Sequence, residues 1–324
     1  MKYFITGATG FIGGRLARQL REAGHDVIAV VRNPAKAQDL AQLGVTLHQG
    51  DVTEKESMRK PMTGVDGVFH VAGWYKVGVR DKSQAYAINV EGTRNVLELM
   101  TELNIPKGVY TSTLAVNSDT HGMEADENYH FNGKHISVYV QTKAEAHDVA
   151  IKMIKEGLPL VIVQPGLVYG PGDTSSVRTS FIQYLKKQLP VMPKQTAFSW
   201  AHVDDIAHAH WLAMEKGKIG ESYNICGPTY TFTDALGIAK EITGVRLPMA
   251  VPAGMIRVMS AMMYVFDKFI PVPESYTGEG LRVIAGVTYI GTNAKAKHEL
   301  GYDPRPLKDG LTETLKHEMK LLGM

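Results

Sequence analysis

Tyr3-Phe4-Ile5-Thr6-Gly7-Ala8-Thr9-Gly10-Phe11-Ile12-Gly13 stands near the head of the chain, and an amphipathic pattern over residues 16–23 follows it. A short apolar, β-rich run, a glycine turn and a helical period read as strand, turn and helix. Gly7, Gly10 and Gly13 let the backbone turn tightly, approach a pyrophosphate and pack the helix onto the strand, while the helix start offers unpaired N–H groups to an anion. The spacing is Gly-x-x-Gly-x-x-Gly rather than Gly-x-Gly-x-x-Gly, and an ordinary turn of small residues would look alike. Its place between an N-terminal strand and a helix favours dinucleotide binding.

Outward from the turn, apolar runs at 26–31, 45–49, 67–71, 108–112 and 158–163 read as strands, with helical periods such as 16–23 and 90–103 between them. Strands alternating with helices predict a parallel, doubly wound sheet with right-handed crossovers, and ligands bind such sheets at the carboxyl ends of the strands. The chemistry is therefore sought just after each strand. The second run ends Val31-Arg32-Asn33-Pro34. An acid at this place would hold the adenosine ribose of NAD; Val31 is not one, and the guanidinium of Arg32, helped by Lys36, suits a 2′-phosphate. NADP(H) is favoured and NAD(H) stays open. After the third run, Asp51 reads either as an adenine contact or as the cap of the next helix. Val71, Ala72 and Gly73 end the fourth, small enough to let backbone run beside a cofactor, and His70 reads as a packed strand-end residue. Trp74, Tyr75 and Lys76 then make a candidate wall for the substrate.

Thr111-Ser112-Thr113 closes the fifth run, and Tyr139-Val140-Gln141-Thr142-Lys143 follows later. Residues four apart share a helix face, so Lys143 stands one turn beyond Tyr139. A phenol with a reference pKa of about 10 is a poor acid/base at neutral pH, and an adjacent ammonium should bring it down. A hydroxyl from Ser112 or Thr113 would hold the reacting oxygen. Tyr-x-x-x-Lys alone is a common surface pattern; after a nucleotide turn and a hydroxyl-bearing strand end it reads as catalysis.

With these residues together, the sequence resembles the short-chain dehydrogenase/reductase family in its extended branch, over most of its length. Thr6 to Gly13, including Thr9, Phe11 and Ile12, corresponds to the nucleotide turn, and Asp51-Val52 to the adenine contact. Asn89-Val90-Glu91-Gly92-Thr93, the run from Gln164 to Gly172, His202-Val203-Asp204-Asp205 and the run from Gly220 to Ile225 resemble further signatures of the branch. The resemblance implies that Tyr139 is the acid/base, that Lys143 lowers its pKa and binds the nicotinamide ribose, and that Thr113 takes the Ser/Thr position. Thr111 would also touch the cofactor, Pro165 and Val168 would line the nicotinamide, and Leu114 and Gly166 would join Trp74, Tyr75, Lys76 and Thr113 around the substrate. Val31 and Arg32 depart from epimerase-like members and resemble dihydroflavonol-reductase-like ones, which use NADPH. The implied fold is α/β, a doubly wound parallel (Rossmann) sheet with a smaller C-terminal substrate-binding lobe. Residues 1–172 form the dinucleotide-binding domain, segments near 198–227 return to it, and 173–324 form mainly the lobe.

Composition narrows the partners. The chain has 324 residues, enough for a large core, and a formal net charge of +2 without a long single-sign block, so no nucleic-acid footprint is expected. One cysteine, Cys226, points to a reducing compartment, and no Cys/His spacing suggests a metal. No secretory signal is read at the N-terminus, so a cytoplasmic enzyme is expected. Residues 249–270 are apolar and Met-rich but broken by Pro252, Arg257, Asp267 and Lys268; a buried or lid-forming amphipathic helix is expected, with core packing as the default, peripheral membrane contact as the minority alternative and no stable membrane insertion. Arg178, Lys186, Lys187, Arg257 and Arg282 are candidates for holding a diphosphate without forming a pattern. The leading expectation is an NADP(H)-dependent oxidoreductase on a small-molecule ketone, aldehyde or alcohol. A nucleotide-sugar epimerase with bound NAD and a non-catalytic NADP(H)-binding sensor are the alternatives. A homodimer through the helices near 89–103 and 139–155 is expected.

Overall fold

The computed structural model describes residues 1–267, 269, 270 and 272–324. Along the chain its strands are β1 (Lys2–Thr6), β2 (Asp26–Val31), β3 (Thr46–Gln49), β4 (Gly67–His70), β5 (Gly108–Thr111), β6 (Leu160–Pro165), β7 (Leu167–Tyr169), β8 (Val191–Pro193), β9 (Ala197–His202), β10 (Ser222–Ile225), β11 (Thr229–Thr231), β12 (Met249–Val251) and β13 (Thr288–Tyr289). Seven of them form one sheet in the order β10-β6-β5-β4-β1-β2-β3. Every neighbouring pair in it is parallel. The chain runs outward from β1 to β3 and then returns to β4 on the other side of β1. That reversal opens a crevice at the carboxyl ends of β1 and β4.

Parallel neighbours need long crossovers, and these cover both faces of the sheet. Alternate residues of β5 and β6 therefore enter two separate cores. Val109, Val161 and Val163 pack with Leu16, Leu20, Ile206 and Ala213 on one side. Tyr110, Leu160 and Ile162 pack with Val96, Met100, Ala146 and Ala150 on the other. Burial on both faces is why the strands read as continuous apolar runs rather than alternating ones. β10 adds the edge beside β6, and the helix Val203–Lys216 before it belongs to the first core.

A smaller sheet has β9 between β11 and β13, with β7 also paired to β9, and β12 pairs β8. Tyr184, Trp200, Leu236, Leu311 and Leu315 centre the core beneath it. Local chemistry sets its helix Phe232–Thr243: Thr231 and Asp234 form a capping box at the start, and Gly244 at φ +71° ends it.

The Met-rich stretch departs from the core-packing expectation. Met249 opens β12, Pro252 then starts the helix Ala253–Phe266, and that helix buries only Ala253, Ile256 and Ser260. Met255, Met262 and Phe266 are exposed. The helix rests by one face on a four-residue cluster with Val251, Leu281 and Ala285, too small to cover it all round. Lys268 lies outside the described residues. Among the described residues, no helix is long and apolar enough to cross a membrane.

Candidate active site

The glycine turn has the geometry its sequence demands. Gly7 takes φ +75°, Gly10 donates its N–H to the Gly7 carbonyl at 2.9 Å, and Gly10 caps the helix Phe11–Glu22 without any side-chain acceptor. The helix start is thus left with unpaired N–H groups for an anion. A Cβ on Gly7 would stand 2.6 Å from the Ala72 nitrogen, and one on Gly13 would run into the Gly7 carbonyl. The same glycines that open the cradle hold β1, β4 and the helix together. Thr6 secures the end of β4: its Oγ1 accepts from the Val71 and Ala72 N–H groups, each at 3.2 Å, and meets His70 Nδ1 at 2.7 Å. His70 also bonds Thr93 Oγ1 through Nε2 at 3.0 Å. It is a packed residue with both nitrogens occupied.

Every residue assigned to the site from the sequence lines one cavity of about 730 Å³, with the exception of Lys36 and Lys76. Both lysines are exposed outside the lining, so of the cations read after β2 only Arg32 lines the cavity. Lys36 ends the short turn Pro34–Lys36, which Asn33 caps by accepting from the Ala35 N–H. Asp51 also lines the cavity, and its Oδ1 accepts from the Thr53 N–H at 2.9 Å and the Thr53 hydroxyl at 2.8 Å. The helix Lys55–Met62 begins at Glu54 instead. Asp51 is therefore a turn-former, not that helix's cap.

At the other end, Ser137 Oγ accepts from the Val140 N–H at 3.2 Å and starts the helix Val138–Lys155, with Tyr139 in its first turn and Lys143 in its second. Lys143 is buried. Its Nζ donates to the Thr111 carbonyl at 2.7 Å and Tyr110 Oη at 3.3 Å, and stands 4.9 Å above the Tyr110 ring. Without a carboxylate partner in this set, burial pushes Lys143 down to about 7. Burial also raises Tyr139 above the ordinary tyrosine value, opposed by a hydrogen bond with Thr113. This departs from the expectation of an ammonium dominating the phenol: desolvation acts on both groups, raising Tyr139 and lowering Lys143.

The structure separates the two candidate hydroxyls. Ser112 Oγ is held by His147 Nδ1 at 2.8 Å. Thr113 Oγ1 accepts from the Ala115 N–H at 3.2 Å, which leaves its own proton to donate. Asn89 has a role its motif did not reveal. In a π-helical turn over Ala87–Glu91, it accepts from the Trp74 N–H at 2.7 Å and donates to the Trp74 carbonyl at 3.0 Å and Thr142 Oγ1 at 2.9 Å. It ties the loop after β4 to the catalytic helix.

Sequence reasoning missed the far wall: Leu189, Val191, Phe198, Ile256, Met259 and Tyr289 complete the cavity, with the Phe198 and Tyr289 rings stacked at 5.7 Å. They come from separate segments, and no local pattern joins them.

Three buried imidazoles couple the site to pH. His70 is lowered to about 3, and His147 and His210 to about 4, chiefly by burial. His210 is held by Thr111 Oγ1 at 2.8 Å and the Ile206 carbonyl at 2.7 Å. Below a reference value of about 6.5, the unfolded chain binds these protons and the folded chain does not, so folding stability falls with falling pH. Each imidazole contributes a slope of at most about 1.4 kcal/mol per pH unit. The urea midpoint is expected to drop between pH 6.5 and 4, and a flat midpoint there would contradict their being neutral when folded.

The sequence profile described as the NAD dependent epimerase/dehydratase family matches residues 3–226. The chain belongs to this family. A putative dihydroflavonol 4-reductase of Synechocystis sp. is 30% identical, over 97% of this chain and 93% of that one. The crystal structure of gox2253 superposes with a TM-score of 0.87 at 30% identity, covering 99% of this chain and 98% of that one. A UDP-glucose 4-epimerase from Thermotoga maritima, with UDP-glucose, shares the fold at a TM-score of 0.79 and 24% identity, covering 99% of this chain and 100% of that one. With relatives named as reductases and dehydrogenases, the chain is an NAD(P)-dependent oxidoreductase of the extended short-chain type.

Proposed function

We propose that the chain is an NADP(H)-dependent reductase that interconverts a ketone or aldehyde with its alcohol. One observation carries the reading: Thr113, Tyr139 and Lys143 meet in a single cavity that begins at the glycine turn and has Arg32, not an acid, at its adenosine end. The cradle fits a dinucleotide, since it has no room for a Cβ at Gly7 or Gly13 and ends in an uncapped helix start. The bound nicotinamide supplies or takes up the hydride. The chain's own groups do the rest. Thr113 donates to the carbonyl oxygen and polarises it; Tyr139 gives that oxygen a proton as the hydride reaches carbon, so carbonyl, hydride and proton become an alcohol. A tyrosine held above its ordinary value stays protonated at neutral pH, which suits the reducing direction. Lys143, held by the Thr111 carbonyl one helical turn beyond Tyr139, would bind the nicotinamide ribose and can return a proton to the phenolate.

The substrate end of the cavity favours a reductase over a nucleotide-sugar epimerase. Among the described residues of the lining, Arg32 and Lys143 are the cations, one at each end of the cofactor site. The five cations considered for a diphosphate are all outside it. Arg178 is engaged by buried Glu318 at 2.8 Å, Arg257 Nε donates to the Ala285 carbonyl at 3.2 Å, and Lys186, Lys187 and Arg282 are exposed. A sugar diphosphate would lie beside Val191, Phe198 and Met259 without a counter-charge, whereas an uncharged carbonyl compound meets a matching wall. Burying Lys143 is costly, and a sensor that only binds has no use for that cost, so the non-catalytic reading is the weaker.

The cofactor preference is tested at Arg32. Arg32→Ala is expected to raise the NADPH KM about 10- to 100-fold, the worth of one or two charged hydrogen bonds, and to leave the NADH KM nearly unchanged. Steady-state kinetics with both cofactors decides it; an unaltered NADPH to NADH ratio removes Arg32 from phosphate recognition.

A further inference from the structure

The helix Ala253–Phe266 has two apolar faces. Inward, Ile256 and Met259 line the cavity. Outward, Met255, Val258, Met262, Val265 and, beyond the helix end, Phe269 repeat at intervals of three and four residues and are between 51% and 79% exposed. One short helix therefore separates an apolar chamber from an apolar patch on the protein surface. Isolated exposed apolar residues are ordinary; a continuous stripe of this size marks a contact.

We propose that this stripe lies on the surface of a lipid bilayer containing anionic lipid, and that the substrate passes from the bilayer into the cavity beneath the same helix. Charge argues for this occupant. Among the described residues of 253–270 the charged side chains are Arg257 and Asp267, and the Asp267 carboxylate is turned to the Gly278 N–H at 2.8 Å. The guanidinium of Arg80 reaches the helix end, donating to the carbonyls of Asp267 at 2.7 Å and Ile270 at 3.1 Å, and Arg80 and Arg257 are both exposed. Arg80 thus sets a guanidinium at the far end of the stripe and Arg257 another on the helix itself, while the one carboxylate among the described residues of 253–270 is engaged, which complements lipid phosphates. A second copy of the chain would need the stripe's flanks to set a register, as charged flanking positions do in paired helices; Gly254, Ala261 and Met263 cannot. Fourteen residues give a helix about 21 Å long, shorter than the roughly 30 Å apolar core of a bilayer, so it lies in the interface and does not span it.

The helix is fixed well enough to dock as a unit. Ser260 Oγ donates to the Gly278 carbonyl at 2.7 Å, and the Asp267 contact closes its far end. Docking would bring an uncharged carbonyl compound in the lipid to within one helix of the cavity that Ile256 and Met259 line.

The test is flotation of the purified full chain with phosphatidylcholine vesicles, with and without phosphatidylglycerol, alongside the Val258→Glu/Val265→Glu variant. These two side chains lie outside the cavity lining. The wild-type chain is expected to float with both vesicle types, more with the anionic ones, and the variant to lose about tenfold or more of that partition. NADPH affinity and far-ultraviolet dichroism of the variant should be unchanged, which shows that it still folds. Failure of the wild type to float, or equal flotation of the variant, overturns the proposal. So does a dimer in light scattering that the variant makes monomeric while neither protein floats, which assigns the stripe to a second copy. The measurement uses no substrate, so its failure is distinguishable from failure of the reductase reading.

Discussion

Tyr139→Phe is expected to lower turnover about a thousandfold while NADPH binds with near-normal affinity, within the range that general acid catalysis supplies. The substitution keeps the ring in the cavity and removes one hydroxyl, the group hydrogen-bonded to Thr113. The other contacts proposed for the cofactor, from the glycine turn to Arg32, are untouched. Initial rates on a carbonyl substrate, with NADPH affinity followed by fluorescence titration, separate the two effects. Turnover within a few-fold of the wild type would sink the mechanism. Equal loss of turnover and of binding would instead make Tyr139 a cofactor contact.

Gly7→Ala should cost both stability and the cofactor. The backbone there sits at φ +75°, where an L side chain adds about 1–2 kcal/mol, and the new methyl would meet Ala72 N at 2.6 Å and the Val71 carbonyl carbon at 2.9 Å. Relieving that overlap moves β4 away from β1 at the mouth of the crevice, at a further cost of about 1–3 kcal/mol. Together these are a large fraction of the roughly 5–15 kcal/mol by which domains are stable. A lowered urea midpoint and NADPH affinity weakened about tenfold or more are expected. Gly64→Ala is the control, since Gly64 has φ +70° and nothing within 4 Å of the added Cβ. It should show the conformational cost alone and bind NADPH normally. If the two variants behave alike, close packing against β4 is not what the glycine protects.

The elements of the crevice were legible because their physics is local. A run buried on both faces must be apolar throughout, so 26–31 and 67–71 stood out and appear as Asp26–Val31 and Gly67–His70. The run at 158–163 is displaced to Leu160–Pro165, where β6 lies between β5 and β10 in the sheet. The spacing of Tyr139 and Lys143 was equally plain, since four residues make about one helical turn. What spacing did not convey was their ionisation. That depends on the medium around Lys143, which Tyr110, Thr111 and the sheet beneath supply.

The sequence by itself determined the doubly wound core, the glycine cradle and the candidates for the reacting side chains, since each rests on backbone conformation or on neighbours a few residues apart. Tertiary structure alone decided which hydroxyl meets Tyr139, Thr113 and not Ser112, because His147 reaches Ser112 from a helix 35 residues away. It alone decided that Lys36 stands outside and Arg32 within, and that on Ala253–Phe266 Met259 joins a cavity wall while Met255 and Met262 stand on an open surface. The chamber's walls meet only after segments as distant as Leu189 and Tyr289 have packed together. Burial is a property of that packing, and neither composition nor periodicity carries it.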